Sequence, residues 1–156
     1  MEPDTKARMV RMRASRHYSS KKRDAVYEAL AATKAHPTAE MLFRTLEKDH
    51  PGISLSTVYR CLNEFCEDGS AVVVGTVDGS DRYDANTVPH PHLVCSRCRS
   101  VTDLPVTDAL ERAVGAVTDE LETLTGCELS SWSLTFTGMC PACAAEEHNI
   151  TSTEVC

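Results

Sequence analysis

Residues 1–19 are basic and lack helical periodicity, but from about Ser20 to residue 70 apolar residues recur at three- and four-residue intervals, then give way to short β-rich runs. From about residue 20, S-K-K-R-D-A-V-Y-E-A-L-A-A predicts a helix with Val26, Tyr27 and Leu30 on one face, and Ser20 is placed to cap its free amides. The helix breaks at Lys34 to Pro37, because proline pushes the preceding residue, His36, out of helical geometry. Thr38 then caps T-A-E-M-L-F-R-T-L-E-K, with Met41, Leu42 and Leu46 inward, and His50-Pro51-Gly52 ends it. A third helix runs from Ser54–Ser56 to a glycine stop at Gly69, with Leu55, Val58, Leu62 and Phe65 as its core side. Its other side carries Ser56, Thr57, Tyr59, Arg60 and Asn63, all hydrogen-bonding or stacking types.

A-V-V-V-G-T-V-D-G-S-D-R-Y-D follows, and its Asp78-Gly79 pair between two β-rich runs predicts a hairpin. Three helices followed by a hairpin is the order of a winged helix-turn-helix. After a linker at residues 85–91, the pattern reads β-β-α-β. Short strands are expected at His92 to Cys95 and Ser100 to Leu104. A helix is expected from Thr107 to Thr125, with Leu110, Val114, Val117, Leu121 and Leu124 as its stripe and Gly126 as its stop. The alternation in S-S-W-S-L-T-F-T puts Trp132, Leu134 and Phe136 on one face of a last strand. The predicted class is α+β: a winged-helix domain over residues 1–84, a small α/β domain over 92–145, and a polar tail from 146 to 156.

Charge divides the chain at the same place. Residues 1–70 hold 12 Lys/Arg against 10 Asp/Glu, and residues 71–156 hold 4 against 13. A basic leading segment on an acidic protein points to a polyanion met by the front end, and with the polar third helix favours DNA binding over an arbitrary α+β domain. No apolar run approaches the roughly 20 residues of a membrane span, and the start lacks a signal-peptide core. The expectation is a cytoplasmic protein without a membrane partner. In that compartment its eight cysteines point to metal or redox work rather than disulfides.

Cys95-x-x-Cys98 and Cys140-x-x-Cys143 form two matched knuckles. Four thiolates so spaced close a tetrahedral zinc site with no open position. Redox dithiols are the alternative, disfavoured because the surrounding βαβ pattern is missing. Cys61, Cys66, Cys127 and Cys156 lack partner spacing, and the first two are expected half-buried on the third helix. A second set interleaves with the first knuckle. His90 and His92 lie on the same side of an extended segment, with Asp84 and Asp103 within reach, a donor set suited to Fe(II), Mn(II) or Zn(II). Spacing alone leaves His36 and Asp84 unassigned, and it also leaves open a non-haem iron enzyme built on two histidines and one carboxylate.

A-H-P-T-A-E, S-L-S-T-V-Y-R-C-L-N-E-F, R-Y-D, H-P-H-L-V-C-S-R-C and G-M-C-P-A-C occur in this order over residues 20–145, and together they resemble the ferric uptake regulator (Fur) family. The resemblance implies a dimeric, metal-dependent repressor: a winged helix, an α/β dimerisation domain, and a sensing metal between them. Within the family the chain is most similar to the peroxide-responsive repressors. That likeness implies His36, Asp84, His90, His92 and Asp103 as ligands of a regulatory Fe(II) or Mn(II), beside the structural zinc on the four cysteines. Peroxide reacting at bound Fe(II) would then oxidise His36 or His90. Iron-sensing members tend to carry glutamate at the positions of Asp84 and Asp103, and often histidine at that of Trp132. On a palindromic double-stranded operator, Tyr59 and Arg60 are expected at base edges beside Ser56 and Thr57, with Lys21, Lys22 and Arg23 at phosphates. The first helix departs from the family's T-P-Q-R start, reading S-K-K-R, and the extra cysteines and acidic tail have no family counterpart.

Overall fold

The computed structural model describes residues 21–151, and side chains only as far as residue 147. The Ser20 cap, the basic segment before Lys21, and the tail from residue 152 with Cys156 lie outside the described residues.

Helices α1 (Lys21–Ala31), α2 (Ala39–Leu46) and α3 (Leu55–Asp68) pack around one core. Each start has a sequence cause. Thr38 accepts a hydrogen bond from the Met41 amide at 3.2 Å, and Ser54 accepts one from Thr57 at 3.3 Å, satisfying amides that have no partner inside the helix. Gly69 ends α3 at φ 78°, which lets its own amide and those of Ser70 and Ala71 converge on the Phe65 carbonyl. Val26, Leu30, Val58, Cys61, Leu62 and Phe65 are essentially inaccessible. Tyr27 meets the Phe65 ring edge-on at 5.3 Å. Three expectations change here. Met41 is 42% exposed, with Ala39 taking its place in the core, Leu55 is only half-buried, and Cys61 is fully buried.

Strands β1 (Val72–Val77) and β2 (Ser80–Asp84) form the expected antiparallel hairpin. Asp78 and Gly79 take φ 52° and 78°, the positive pair that a two-residue turn matching strand twist requires. Tyr83 turns into the helical core, while Val74 and Val77 bury against Val101 in a second cluster that Val72 and Val94 flank. The hairpin is therefore held from both sides, by the helices and by the second half of the chain.

That half contains β3 (His92–Cys95), β4 (Val101–Asp103), α4 (Asp108–Thr125), β5 (Thr135–Gly138) and α5 (Pro141–Thr151). The sheet order is β4-β3-β5, antiparallel then parallel. Helix α4 begins one residue later than expected, with Thr107 as its cap, and Gly126, at φ 71°, ends it as predicted. The last strand is shorter than expected, because β3 begins at His92 and only the Leu134 carbonyl is met, by the His92 amide at 3.0 Å. Phe136 is accordingly 48% exposed. The region expected as tail is helical to Thr151, started by Pro141, whose preset φ suits a first helical turn. Helix α4 has no buried residue. Its stripe borders an open apolar groove of about 480 Å³ with Leu129, Trp132 and Leu134 on the far wall. No helix among the described residues is long and apolar enough to cross a membrane.

Candidate metal centres

Cys95 closes β3, Cys98 sits in the turn after it, and Cys140 and Cys143 flank the start of α5. The parallel register pairs Cys95 with Gly138, so both knuckles reach one end of the sheet. The four sulfurs lie within 4.8 Å of one another, and Cys98 Sγ is 3.8 Å from Cys140 Sγ. A tetrahedron with bonds of about 2.3 Å has edges of about 3.8 Å. The amides of Cys140 and Cys98 donate to Cys95 Sγ at 3.4 and 3.5 Å and hold that thiol down at about 6. Hydrogen bonding with Cys140, then burial, pushes Cys143 up to about 12. Crowded thiols cannot all ionise by themselves, and a dication removes that conflict.

The second cluster is assembled from both halves of the chain. His36 comes from the turn before α2, Asp84 from the end of β2, His90 from the linker, and His92 and Asp103 from facing positions of β3 and β4. One donor atom from each lies within 4.8 Å of every other. His36 Nε2 is 2.8 Å from Asp103 Oδ1 and 3.3 Å from Asp84 Oδ2. His90 Nε2 stands 3.1 and 3.2 Å from the same two oxygens, and His92 Nε2 3.6 and 3.8 Å. Donors about 2.1 Å from a common ion and at right angles sit about 3 Å apart. His36 Nε2, His92 Nε2 and Asp84 Oδ2 are buried without a hydrogen-bond partner, although carboxylate and imidazole are close enough in distance. Buried polar atoms this close together yet left unpaired call for a ligand.

Outer contacts set the ring tautomers. His36 Nδ1 faces the Val101 carbonyl at 3.3 Å and His90 Nδ1 faces that of Val88 at 2.7 Å, so each Nδ1 donates and each Nε2 offers its lone pair inward. Burial disfavours a charged His90, but the Val88 carbonyl and the Asp103 and Asp84 carboxylates outweigh it, raising its pKa. Burial, then the neighbouring His90 and His36, lowers that of His92. Trp132 lines a cavity of about 170 Å³ beside His90 and His92.

The polar face of α3 is open, with Ser56, Tyr59, Arg60 and Asn63 exposed. Several groups there already have partners. The Ser54 hydroxyl meets those of Ser56 and Thr57 at 3.0 and 2.9 Å, Tyr59 donates to Glu40, and Arg60 pairs with Glu64 at 2.9 Å. Lys21 is exposed, and Lys22 bonds the Gly52 carbonyl at 2.6 Å. In the chain alone Arg23 folds onto α3, 2.7 Å from Asp68 and 4.5 Å above the Phe65 ring, because an apolar ring and two acids lie within its reach.

Sequence reasoning missed the residues that join the two centres. Arg82 donates to the carbonyls of His36 and Arg99, each at 3.3 Å. Arg99, which directly follows the first knuckle, grips the Asp78 carboxylate at 3.0–3.2 Å. R-Y-D contained the signal, since an arginine two residues before a candidate ligand on one strand shares its face.

Residues 15–136 match the model of the ferric uptake regulator family. The peroxide operon regulator of Bacillus subtilis (strain 168) is 33% identical over 129 residues, which is 81% of this chain and 84% of that protein. The Campylobacter jejuni peroxide stress regulator superposes with a TM-score of 0.66 at 29% identity, covering 78% of this chain and 88% of that one. The Helicobacter pylori ferric uptake regulator shares the fold, with a TM-score of 0.68 at 23% identity and coverage of 80% and 81%.

Proposed function

This chain belongs to the ferric uptake regulator family of metal-responsive transcription regulators, and from that membership we propose that it is a peroxide-sensing repressor. The carrying observation is the His/Asp cluster. Five donors of the non-thiolate type, from both halves of the chain, converge with buried atoms left unpartnered. The set matches Fe(II) or Mn(II) chemistry, while the four cysteines match closed structural zinc.

His36 belongs to the helical half and His92 and Asp103 to the sheet half, divided at the 85–91 linker. An ion held by both favours the arrangement seen here through its greater affinity for that state. Moving the equilibrium from 1:99 to 99:1 takes about 5.5 kcal/mol of differential affinity. Five protein donors would hold such an ion without saturating an octahedral shell, which would leave room for a small oxidant. Held by these donors, Fe(II) would supply the redox chemistry with peroxide that could oxidise an adjacent ring, His36 or His90, whereas Mn(II) would fill the same donors without it. Losing one imidazole then frees the two halves from each other.

The α4 groove is the place for a second copy of the chain, which would present two α3 helices to a palindromic operator. Tyr59, Arg60, Ser56 and Thr57 would read base edges, and Lys21, Lys22 and a released Arg23 would meet phosphates.

The test compares DNA binding of the Fe(II)- and Mn(II)-loaded protein before and after mild peroxide, with mass spectrometry of both. Loss of binding in the Fe(II) form alone, with one oxygen added to His36 or His90, supports the proposal. Equal survival of both forms leaves an iron- or zinc-responsive uptake regulator as the better reading.

A further inference from the structure

Among the described residues, three non-glycine residues adopt positive φ: His36 at 46°, Asp78 at 52° and Arg99 at 63°. Such conformations are sparsely populated, and they persist where the surroundings over-determine them. These three belong to one connected path. Asp78 stands at the hairpin tip, Arg99 directly follows Cys98 of the zinc knuckle and binds the Asp78 carboxylate, and His36 is a donor of the His/Asp cluster. Arg82 links the last two. Its Nη1 donates to the His36 carbonyl and its Nη2 to the Arg99 carbonyl, each at 3.3 Å. Strand alternation explains the placement: Tyr83 points into the helical core, so Arg82 and Asp84 face the other way.

The chemistry of Arg82 also points to a holding role. Its Nε is buried without a hydrogen-bond partner, and no carboxylate pairs with the guanidinium among the described residues. The charge is directed at two carbonyls, and a planar fork can hold two acceptors in fixed relation where an ammonium cannot. Both carbonyls follow backbone that an ordinary loop would not keep left-handed. For His36 the conflict is sharper, since it precedes Pro37, which favours extended backbone. From the same strand the neighbouring Tyr83 amide, bonded to the Pro37 carbonyl at 3.2 Å, also helps.

We propose that Arg82 is a positioning residue for the His/Asp centre: braced on Arg99 directly after the zinc knuckle, it holds the His36 turn in the conformation that aims its imidazole inward. This rests on the reading of that cluster as a metal site. Metal affinity at the centre therefore depends on a residue that touches no metal, and on the turn after the knuckle, whose Arg99 carbonyl lies 3.3 Å from that residue's other nitrogen.

The test uses the full-length, zinc-loaded protein with Mn(II) as probe, its affinity read by electron paramagnetic resonance. Variants are Arg82→Met, Arg82→Lys and His36→Ala, with zinc content and Tm measured with and without Mn(II). Arg82→Met should bind Mn(II) at least tenfold more weakly with zinc unchanged, within the range for outer-shell partners of metal ligands. Arg82→Lys keeps the charge and stem without the fork, so it should lie between the two and serves if the methionine variant does not fold. The rise in Tm caused by Mn(II) should shrink in both. Wild-type Mn(II) affinity in both arginine variants, or a Tm lowered equally with and without Mn(II), overturns the role of Arg82. Wild-type affinity in His36→Ala overturns the metal-site reading itself and this inference with it.

Discussion

His36 Nε2 lies 2.8 Å from Asp103 Oδ1, a contact between the turn preceding α2 and the end of β4 that ties the helical half to the sheet half. Neither residue can find the other by local structure. Their approach depends on the hairpin, which packs on the three helices through Tyr83 and on the sheet through Val74 and Val77.

Breaking that contact should uncouple the halves. Asp103→Asn keeps the shape of the side chain and removes its charge. Mn(II) affinity is expected to fall by more than about 100-fold, beyond the usual range for outer-shell partners, and metal-dependent DNA affinity should fall with it. Titration calorimetry and an operator-binding assay check both. Unchanged Mn(II) affinity would remove Asp103 from the centre.

Metal loading should weaken toward acid pH. The raised pKa of His90 gives the metal-free fold a contribution that is complete below about pH 6.5 and is lost as pH rises through the higher folded value. Metal binding needs the neutral ring, so its sign is opposite. Affinity should grow as pH climbs through that window, above about pH 6.5, and then level off. Mn(II) titrations at several pH values measure the slope, and a flat profile across the window contradicts the assignment of His90.

Removing zinc should loosen the sheet. Cys140→Ser leaves three thiols and frees the connection from β5 to β3. Zinc content is expected to drop from one per chain toward none, with hydrogen exchange accelerating across β3 and β5. Retained protection in zinc-free protein would show that the four cysteines do not staple the fold.

A charge on the α4 stripe should block assembly. Val117 and Leu121 are 55% and 44% exposed in the single chain. Leu121→Glu is expected to leave the fold intact and shift light-scattering mass from dimer to monomer. An unchanged mass would place the interface elsewhere.

On α3, Arg60→Ala should cost about 1–3 kcal/mol of discrimination between operator and altered sequence, the worth of a good base contact. Lys21→Ala should weaken binding to all sequences alike and lower the salt slope by about one. Competition assays at several salt concentrations distinguish these effects, and the reverse pattern would exchange the two roles.

Elements were legible where one residue carries a local signal. Thr38, Ser54 and Thr107 start their helices and Gly69 and Gly126 stop theirs, because unpaired amides and left-handed turns have few solutions. The C-x-x-C pairs announced their own proximity. His36 and Asp84 were not assignable by spacing, since their place depends on how two halves pack, and only the family resemblance brought them to the centre. Met41 went astray for a related reason, and the contacts of Arg23 were hidden for the same one. Periodicity gives a helix face but not its neighbour, and the acids and ring that take Arg23 lie on another helix. Arg82 escaped because a hairpin arginine is ordinarily solvated, and its two carbonyl partners are visible only in three dimensions.

Four residues of β3 carry His92 at one end and Cys95 at the other. At about 3.3 Å per residue, this strand works as a spacer of roughly 10 Å between the two centres. Its length is consequently not free to drift. One inserted residue would turn His92 to the opposite face, and two would restore the face but carry it past Asp103. Point substitutions at Leu93 and Val94 should thus be far better tolerated than any insertion or deletion between His92 and Cys95, so lineages of this protein can vary the composition of that strand while its residue count stays at four.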